Sequence, residues 1–261
     1  MTLSQGDETS AVVEVNEELE KYLLFENSEG TVVVGFKKGA FLDNTFKRIM
    51  QQRNNLHLTA RIVVRDLEKM RVSSGSTVNA DTPIETDRVE VSVSSGSSAS
   101  LSALKAVAVD FDLSSSSKVS VASFEAEDIR ANISSAAKLT LNKAKVDRAD
   151  IDASSASYVK IDYLTADKTN ISTSSASRVS VSGNSAECIA HGSSGSKIDC
   201  ESFNVGRARV ELSSGSSGRL SVKDAIDISV SSGSSFIYYG TPTIIGTRVS
   251  SGGSVRQNQS L

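Results

Sequence analysis

The chain of 261 residues (27.5 kDa) balances 28 basic against 31 acidic side chains, with a net charge of -3 and a pI near 5.6, which excludes the concentrated basic excess of a nucleic-acid binder. With 5% aromatic residues, no Trp and 38% hydrophobic residues, a wide core of large side chains is excluded and a narrow one of Val, Ile, Leu and Ala is expected. Cys188 and Cys200 alone make neither a disulfide framework nor a four-ligand zinc site, and no run of about 18 apolar residues offers a transmembrane segment.

The opening TLSQGDETSAVVEV lacks the basic and apolar blocks of a signal peptide. It reads as a strand and turn, which leaves room for an export signal removed ahead of it. Alternation of apolar residues marks strands in AVVEV (11–15), TVVVGF (31–36) and ARIVV (60–64). Between them, AFLDNTFKRIMQQRNN (40–55) places Phe41, Leu42, Phe46, Ile49 and Met50 at helical spacing, which predicts one short amphipathic helix packed on a core. Residues 1–72 are thus expected to form an irregular β cap, continuous with residues 73–261, because an uncapped parallel stack leaves an apolar end and unpaired edges.

From Ser73 onward the chain repeats. Pairs of serines followed by small residues begin at Ser73, Ser94, Ser114, Ser134, Ser154, Ser174, Ser193, Ser213, Ser231 and Ser250, at intervals of 18 to 21 residues. Each mark is preceded by an alternating triplet, such as Val89, Val91, Val93 or Val109, Phe111, Leu113, and followed by a pair such as Val119 and Val121 or Leu139 and Leu141. A third side turns Leu104, Phe124, Leu164 and Phe203 inward. Period two on every side means strands with one buried face. About 20 residues suffice for three short strands and three corners, not for strand plus helix plus strand. The fold class predicted is therefore all-β, a single-stranded parallel β-helix, right-handed because parallel crossovers nearly always are. In the last coils Phe236, Tyr238 and Tyr239 are expected to close the core.

Two expectations concern the marks. Their third residue is Gly at 75, 96, 195, 215, 233 and 252 but Ser116, Ala136, Ala156 and Ala176 elsewhere; since Ala tolerates positive φ badly, a negative φ and small volume are predicted there. The second Ser never varies, and by parity it points inward, predicting a buried ladder of hydrogen-bonded hydroxyls.

LSQGDE (3–8), DLEKMRVSSGS (66–76), the recurring SSGS marks and SFIYYGTPTIIGTRVSSGGSV (235–255) resemble the GIN domain, the head-domain family of auto-transporter adhesins. The resemblance covers nearly the whole chain. It implies a β-helical protein exported by a Gram-negative bacterium to the periplasm or outer surface, and it brings no catalytic residues. In the family an acidic residue often follows the Gly-Ser-Gly unit; here that place holds Thr77, Ser98, Lys118, Lys138, Tyr158, Arg178, Lys197 and Ser217, which argues against a cation site there.

The same departure builds a basic stripe, with Lys118, Lys138, Tyr158, Lys160, Arg178 and Lys197 expected to face outward after the marks. Stacked like charges repel by roughly 1 kcal/mol in water, so the stripe is a candidate contact for an acidic polysaccharide or another cell-surface component. Before the marks, Glu90, Asp110, Arg130 and Asp150 form one outward file and Asp112, Asn132 and Asp152 the next. Arg130 between Asp110 and Asp150 predicts an ion-pair ladder, structural in role and contributing at most ~1 kcal/mol per pair; a calcium site or the acid/base pair of a glycan-cleaving enzyme are its rivals. His57 and His191 lie in different regions, no serine has a distinguishing neighbour, and both cysteines are expected as buried free thiols. No cofactor and no metal are expected. The function predicted is a non-enzymatic exported binding or adhesion module; a polysaccharide lyase or hydrolase and a structural spacer, oligomerising through its ends or edges, are the alternatives.

Overall fold

The computed structural model describes residues 1–28, 30–51 and 58–258. Its body is a parallel β-solenoid of about 10 turns. Strands of successive coils pair in register: Lys118 stands beside Lys138, Lys138 beside Tyr158, and Tyr158 beside Arg178. Neighbouring coils are therefore ~4.8 Å apart.

The coil has the three sides expected of it: residues 138–141, 143–146 and 148–153 pair with the next coil, and pairing skips a residue at each bend, 142 and 147. From residue 138 onward, each of three coils is one strand of 15 or 16 residues, Lys138–Ala153, Tyr158–Thr173 and Arg178–Gly192, bent but not broken. The apolar triplets, the pairs after the marks and the third-side residues Leu104, Phe124, Leu164 and Phe203 are all buried in one continuous core. Burial of each such side chain contributes ~1.5–3 kcal/mol.

The marks differ from both expectations. Their second and third residues both have positive φ, as at Ser135 (51°) and Ala136 (60°) or Ser155 (52°) and Ala156 (60°). The N–H of the fourth residue donates to the carbonyl of the first, at 3.0 Å for Ala137 to Ser134. This is the pattern of a type I′ turn, which requires positive φ at both central residues. Alanine is accommodated because a Cβ at the equivalent Gly75, Gly96, Gly195, Gly215 and Gly233 would meet nothing within 4 Å. The third residue's N–H also donates to the second Ser of the next coil, at 3.0 Å for Ala136 to Ser155 and 2.9 Å for Ala156 to Ser175. Those bonds offset the left-handed strain.

The serine ladder exists, but at the fourth place of the mark. The second serines are exposed, whereas Ser97, Ser117, Ser157, Ser177, Ser196, Ser216 and Ser234 are buried. Parity counting holds only along extended backbone, and the two left-handed residues displace the inward position by two. Ser157 Oγ donates to the Ile133 carbonyl at 2.9 Å, Ser177 to Ala153 at 2.8 Å and Ser216 to Gly192 at 3.0 Å. These hydroxyls thus bond to the backbone one coil down, whereas Ser117 Oγ is buried without a partner.

The N-terminal region joins the same sheet. Thr2–Gln5 runs parallel to Leu58–Val64 and meets Thr77–Ala80 through Thr2 and Asn79, while Ser10–Val15 pairs antiparallel to Leu58–Val64. That antiparallel strand ends the parallel ladder. The hairpin Leu23–Ser28 with Thr31–Phe36, a short helix Glu17–Glu20 and the helix Asn44–Gln51 belong to a second cluster around Leu19, Tyr22, Ala40 and Phe46. The helix is shorter than expected: Asp43 Oδ1 accepts the Thr45 N–H at 2.6 Å and so starts it. Phe41 and Leu42 fall before it, in a 3-10 turn, and are exposed. Phe46 alone of the five is buried.

At the other end Phe236 and Tyr238 are buried and stacked, with ring centroids 6.3 Å apart, but they do not close the core. Thr243–Val249 and Ser254–Asn258 add another rung over them, leaving Ile244, Ile245 and Val249 exposed.

Candidate functional site

The strands after the marks present a flat face, and its first outward column runs Ser98, Lys118, Lys138, Tyr158, Arg178, Lys197, Ser217. Five of the six stripe residues therefore stand in one file. Lys160 belongs to the next column, between Thr140 and Ser180. It pairs with Asp162 at 2.6 Å, and that carboxylate holds the Lys160 ammonium above its ordinary range. Lys197 pairs with Asp199 at 3.4 Å. Among the described residues, Lys118, Lys138 and Arg178 have no carboxylate within 4.0 Å. Lys138 Nζ leans over the Tyr158 ring, 5.3 Å from its centroid, a cation–π contact that draws its charge along the file. Hydroxyls of Ser100, Ser120 and Thr140 line the column beside it.

On the strands before the marks both outward files form in register, with Arg130 directly between Asp110 and Asp150. The ion-pair ladder does not follow. Asp110 is met by Arg88 at 3.2 Å, Asp150 accepts the Asn170 amide, and Glu90 pairs with Lys69 and, at 3.9 Å, Arg71. No pair within 4.0 Å links Arg130 to either aspartate. Arg88 reaches Asp110 diagonally, since it is Ala108 that stands directly beside Arg88. Lys69 holds the Glu90 carboxyl below its ordinary range.

The second file borders a groove of about 870 Å³ where the strand bends into the mark. Asp112, Asn132 and Asp152 continue through Ser172, His191 and Glu211, and the first serines of the marks form the opposite lip. Asn132 Nδ2 donates to Asp112 at 3.0 Å, and Glu211 gathers Arg209 at 2.7 Å and His191 Nδ1 at 3.3 Å. His191 and Glu211 carried no sequence motif. Counting two residues back from each mark is the signal that finds them.

Nucleophilic chemistry has little support here. Cys188 and Cys200 are free and buried, and burial pushes the Cys188 thiol up to about 12 and Cys200 well above its ordinary value. Neither forms a thiolate near neutral pH. His57 lies outside the described residues. Among the described residues no group of three or more acidic, His or Cys side chains is placed to hold a metal ion, and no helix is long and apolar enough to cross a membrane.

Comparison with known proteins bears on the whole chain. The model of one family, described as "Putative auto-transporter adhesin, head GIN domain", matches residues 1–161 and 130–242. No curated protein matches. Among solved structures, a "putative adhesin" from Parabacteroides merdae shares 15% identity at a TM-score of 0.51, over 98% of this chain and 87% of that one. A "putative adhesin" from Parabacteroides distasonis matches at 15% identity and a TM-score of 0.50, and a "putative lipid binding protein" from the same organism at 15% and 0.49, with the same coverage, 98% and 87%. Likeness at such identity speaks for the fold alone.

Proposed function

Because the chain belongs to the GIN domain family of auto-transporter adhesin heads, we propose that it is a non-enzymatic binding module, exported or displayed at the cell surface, whose flat face holds an acidic polysaccharide along the basic file. Three features support this reading. The cations of Lys118, Lys138 and Arg178 lack carboxylate partners among the described residues, so their charge is available to a ligand. They stand on rungs ~4.8 Å apart, a spacing on the scale of one sugar in an extended chain. Tyr158 lies between them with a partly exposed ring, and the neighbouring hydroxyls complete a polar sheet face.

The observation that carries the proposal is the uncompensated file itself: a surface shaped only for stability would interleave acids among the bases. Exposed charge contacts are worth ~0.2–1 kcal/mol each, so reversing three of them weakens binding on the order of tenfold or more. Retention on immobilised polygalacturonate is expected to fall with added salt and to be lost in Lys118→Glu/Lys138→Glu/Arg178→Glu, with the far-UV circular dichroism unchanged. Retention of that variant equal to the parent would remove the file from the function.

A further inference from the structure

We propose that the groove on the other side of the marks is a second binding site, for an extended glycan strand bearing free amino groups. It does not rest on the basic file, from which it differs in sign and shape.

The groove follows the stack from Ser92 to Ser229, with one rung per coil. At ~4.8 Å per rung it is roughly 30 Å long. Each rung repeats the same two elements, an outward side chain two residues before the mark and the first serine of the mark. The repeat therefore presents a ligand with a periodic set of hydroxyl, amide, carboxylate and imidazole groups. A linear polymer with a repeat of matching length can use every rung; a small molecule can use only one or two.

Charge selects the polymer. Asp112, Asp152 and Glu211 face the groove. Arg209 and His191 meet Glu211, but Asp112 is held only by an amide, and Asp152 has no ion pair among the described residues. In the central rungs Asp112 and Asp152 carry charge that no ion pair offsets, against the single cation of Arg130 in the adjacent file, so a polyanion is repelled and an ammonium group attracted. Charge-assisted hydrogen bonds from an ammonium to these carboxylates are shorter and roughly twice as strong as neutral ones.

Two other polymer classes fit poorly. A peptide adding itself as a strand needs free backbone donors and acceptors, and at these rungs the backbone is already bonded between coils: Ser134 N–H to the Leu113 carbonyl at 2.9 Å, Ser154 N–H to that of Ile133 at 2.9 Å. A lipid chain needs an apolar lining, whereas Leu113, Ile133 and Leu212 turn their side chains into the core and leave backbone and polar groups at the surface.

Calorimetric titration of the whole chain with four probes tests this. The β-linked hexamer of glucosamine should bind on the order of tenfold tighter than cellohexaose, which has the same backbone without the amine. Hexagalacturonate should not compete for the groove. Asp112→Asn/Asp152→Asn keeps shape and hydrogen-bonding capacity at exposed positions, and should lower glucosamine-hexamer affinity by about the same factor. Lys118→Ala/Arg178→Ala, on the other face, should leave it within about twofold, which separates this site from the basic file. Equal binding of the two hexamers, binding of spermine as tight as that of the amino sugar, or no effect of the paired aspartate substitutions would each overturn the proposal.

Discussion

Among the described residues, every non-glycine residue with positive φ sits in a mark. Serine at the second place and Ser or Ala at the third hold a conformation that costs an L-residue roughly 1–2 kcal/mol, and they hold it because the coil must reverse within four residues. Nothing crowds the third place, so the cost there is intrinsic to the backbone and glycine relieves it. Ala136→Gly, Ala156→Gly and Ala176→Gly are therefore each expected to stabilise the fold by about 0.5–1 kcal/mol. The triple variant should show a higher Tm by calorimetry; an unchanged or lower Tm would contradict a positive φ at these places. The opposite holds one step further on, where the buried fourth serine bonds to the coil below. Where the hydroxyl bonds, as at Ser157, Ser177 and Ser216, loss of the side chain leaves a carbonyl short of one donor, a typical cost of ~1 kcal/mol, and Ala137 interrupts the column.

Coils of unequal length show how an element absorbs an irregularity. Most marks are 20 residues apart, but the coil from Ser174 to Ser193 has 19, and pairing slips on its third side between Ile161 and Leu164 of the coil below. Gly183 takes up the slip, with φ of +115° and its Cα pressed on the Leu164 backbone; a Cβ there would stand 2.1 Å from the Leu164 carbonyl oxygen. In the same way Gly240, φ +98°, crosses the Val222 carbonyl in the 19-residue coil that starts at Ser231. The sides next to the marks keep their register up to the last coil, where pairing slips between Ile226 and Asp227 opposite Ile244 and Gly246; elsewhere the slips fall on the side farthest from both candidate surfaces. Gly183→Ala is expected to cost more than 1 kcal/mol, since it adds both strain and a backbone clash. Chemical denaturation measures it, and a ΔΔG near zero would mean the third side is loosely held.

The molecule as a whole is a one-dimensional stack, in which each coil contacts chiefly its neighbours and stability is close to a sum of coil and interface terms. Excision of residues 138–157 joins Ala137 to Tyr158 in phase and puts Phe124 over Leu164, both core residues. The shortened chain is expected to fold cooperatively with a lower Tm and an unchanged β-type circular dichroism spectrum. Excision of ten residues instead inverts the relation of mark to core and should abolish folding. If both variants fold equally well, the marks are not what sets the phase. The stack also explains why two surfaces of opposite sign lie so close together: the mark separates an outward file of acids two residues before it from a file of bases just after it, and each file is copied from rung to rung.

The chain's periodicity by itself determined the parallel β-helix, the inward columns and the composition of both outward files, because side chains alternate strictly along extended strands and a constant repeat stacks like on like. That reasoning fails where the backbone is not extended. Only the tertiary structure decided that the marks are left-handed turns, that the buried hydroxyl belongs to Ser157 and Ser177 instead of Ser155 and Ser175, and that Arg130 passes by Asp110 and Asp150. Residues 1–72 escaped for a related reason: without a repeat, only local spacing was available, and spacing cannot separate Phe41 on a 3-10 turn from Phe46 in a core. The groove, with His191 and Glu211, arises from the concavity of the bend, a property of stacked coils that no single coil contains.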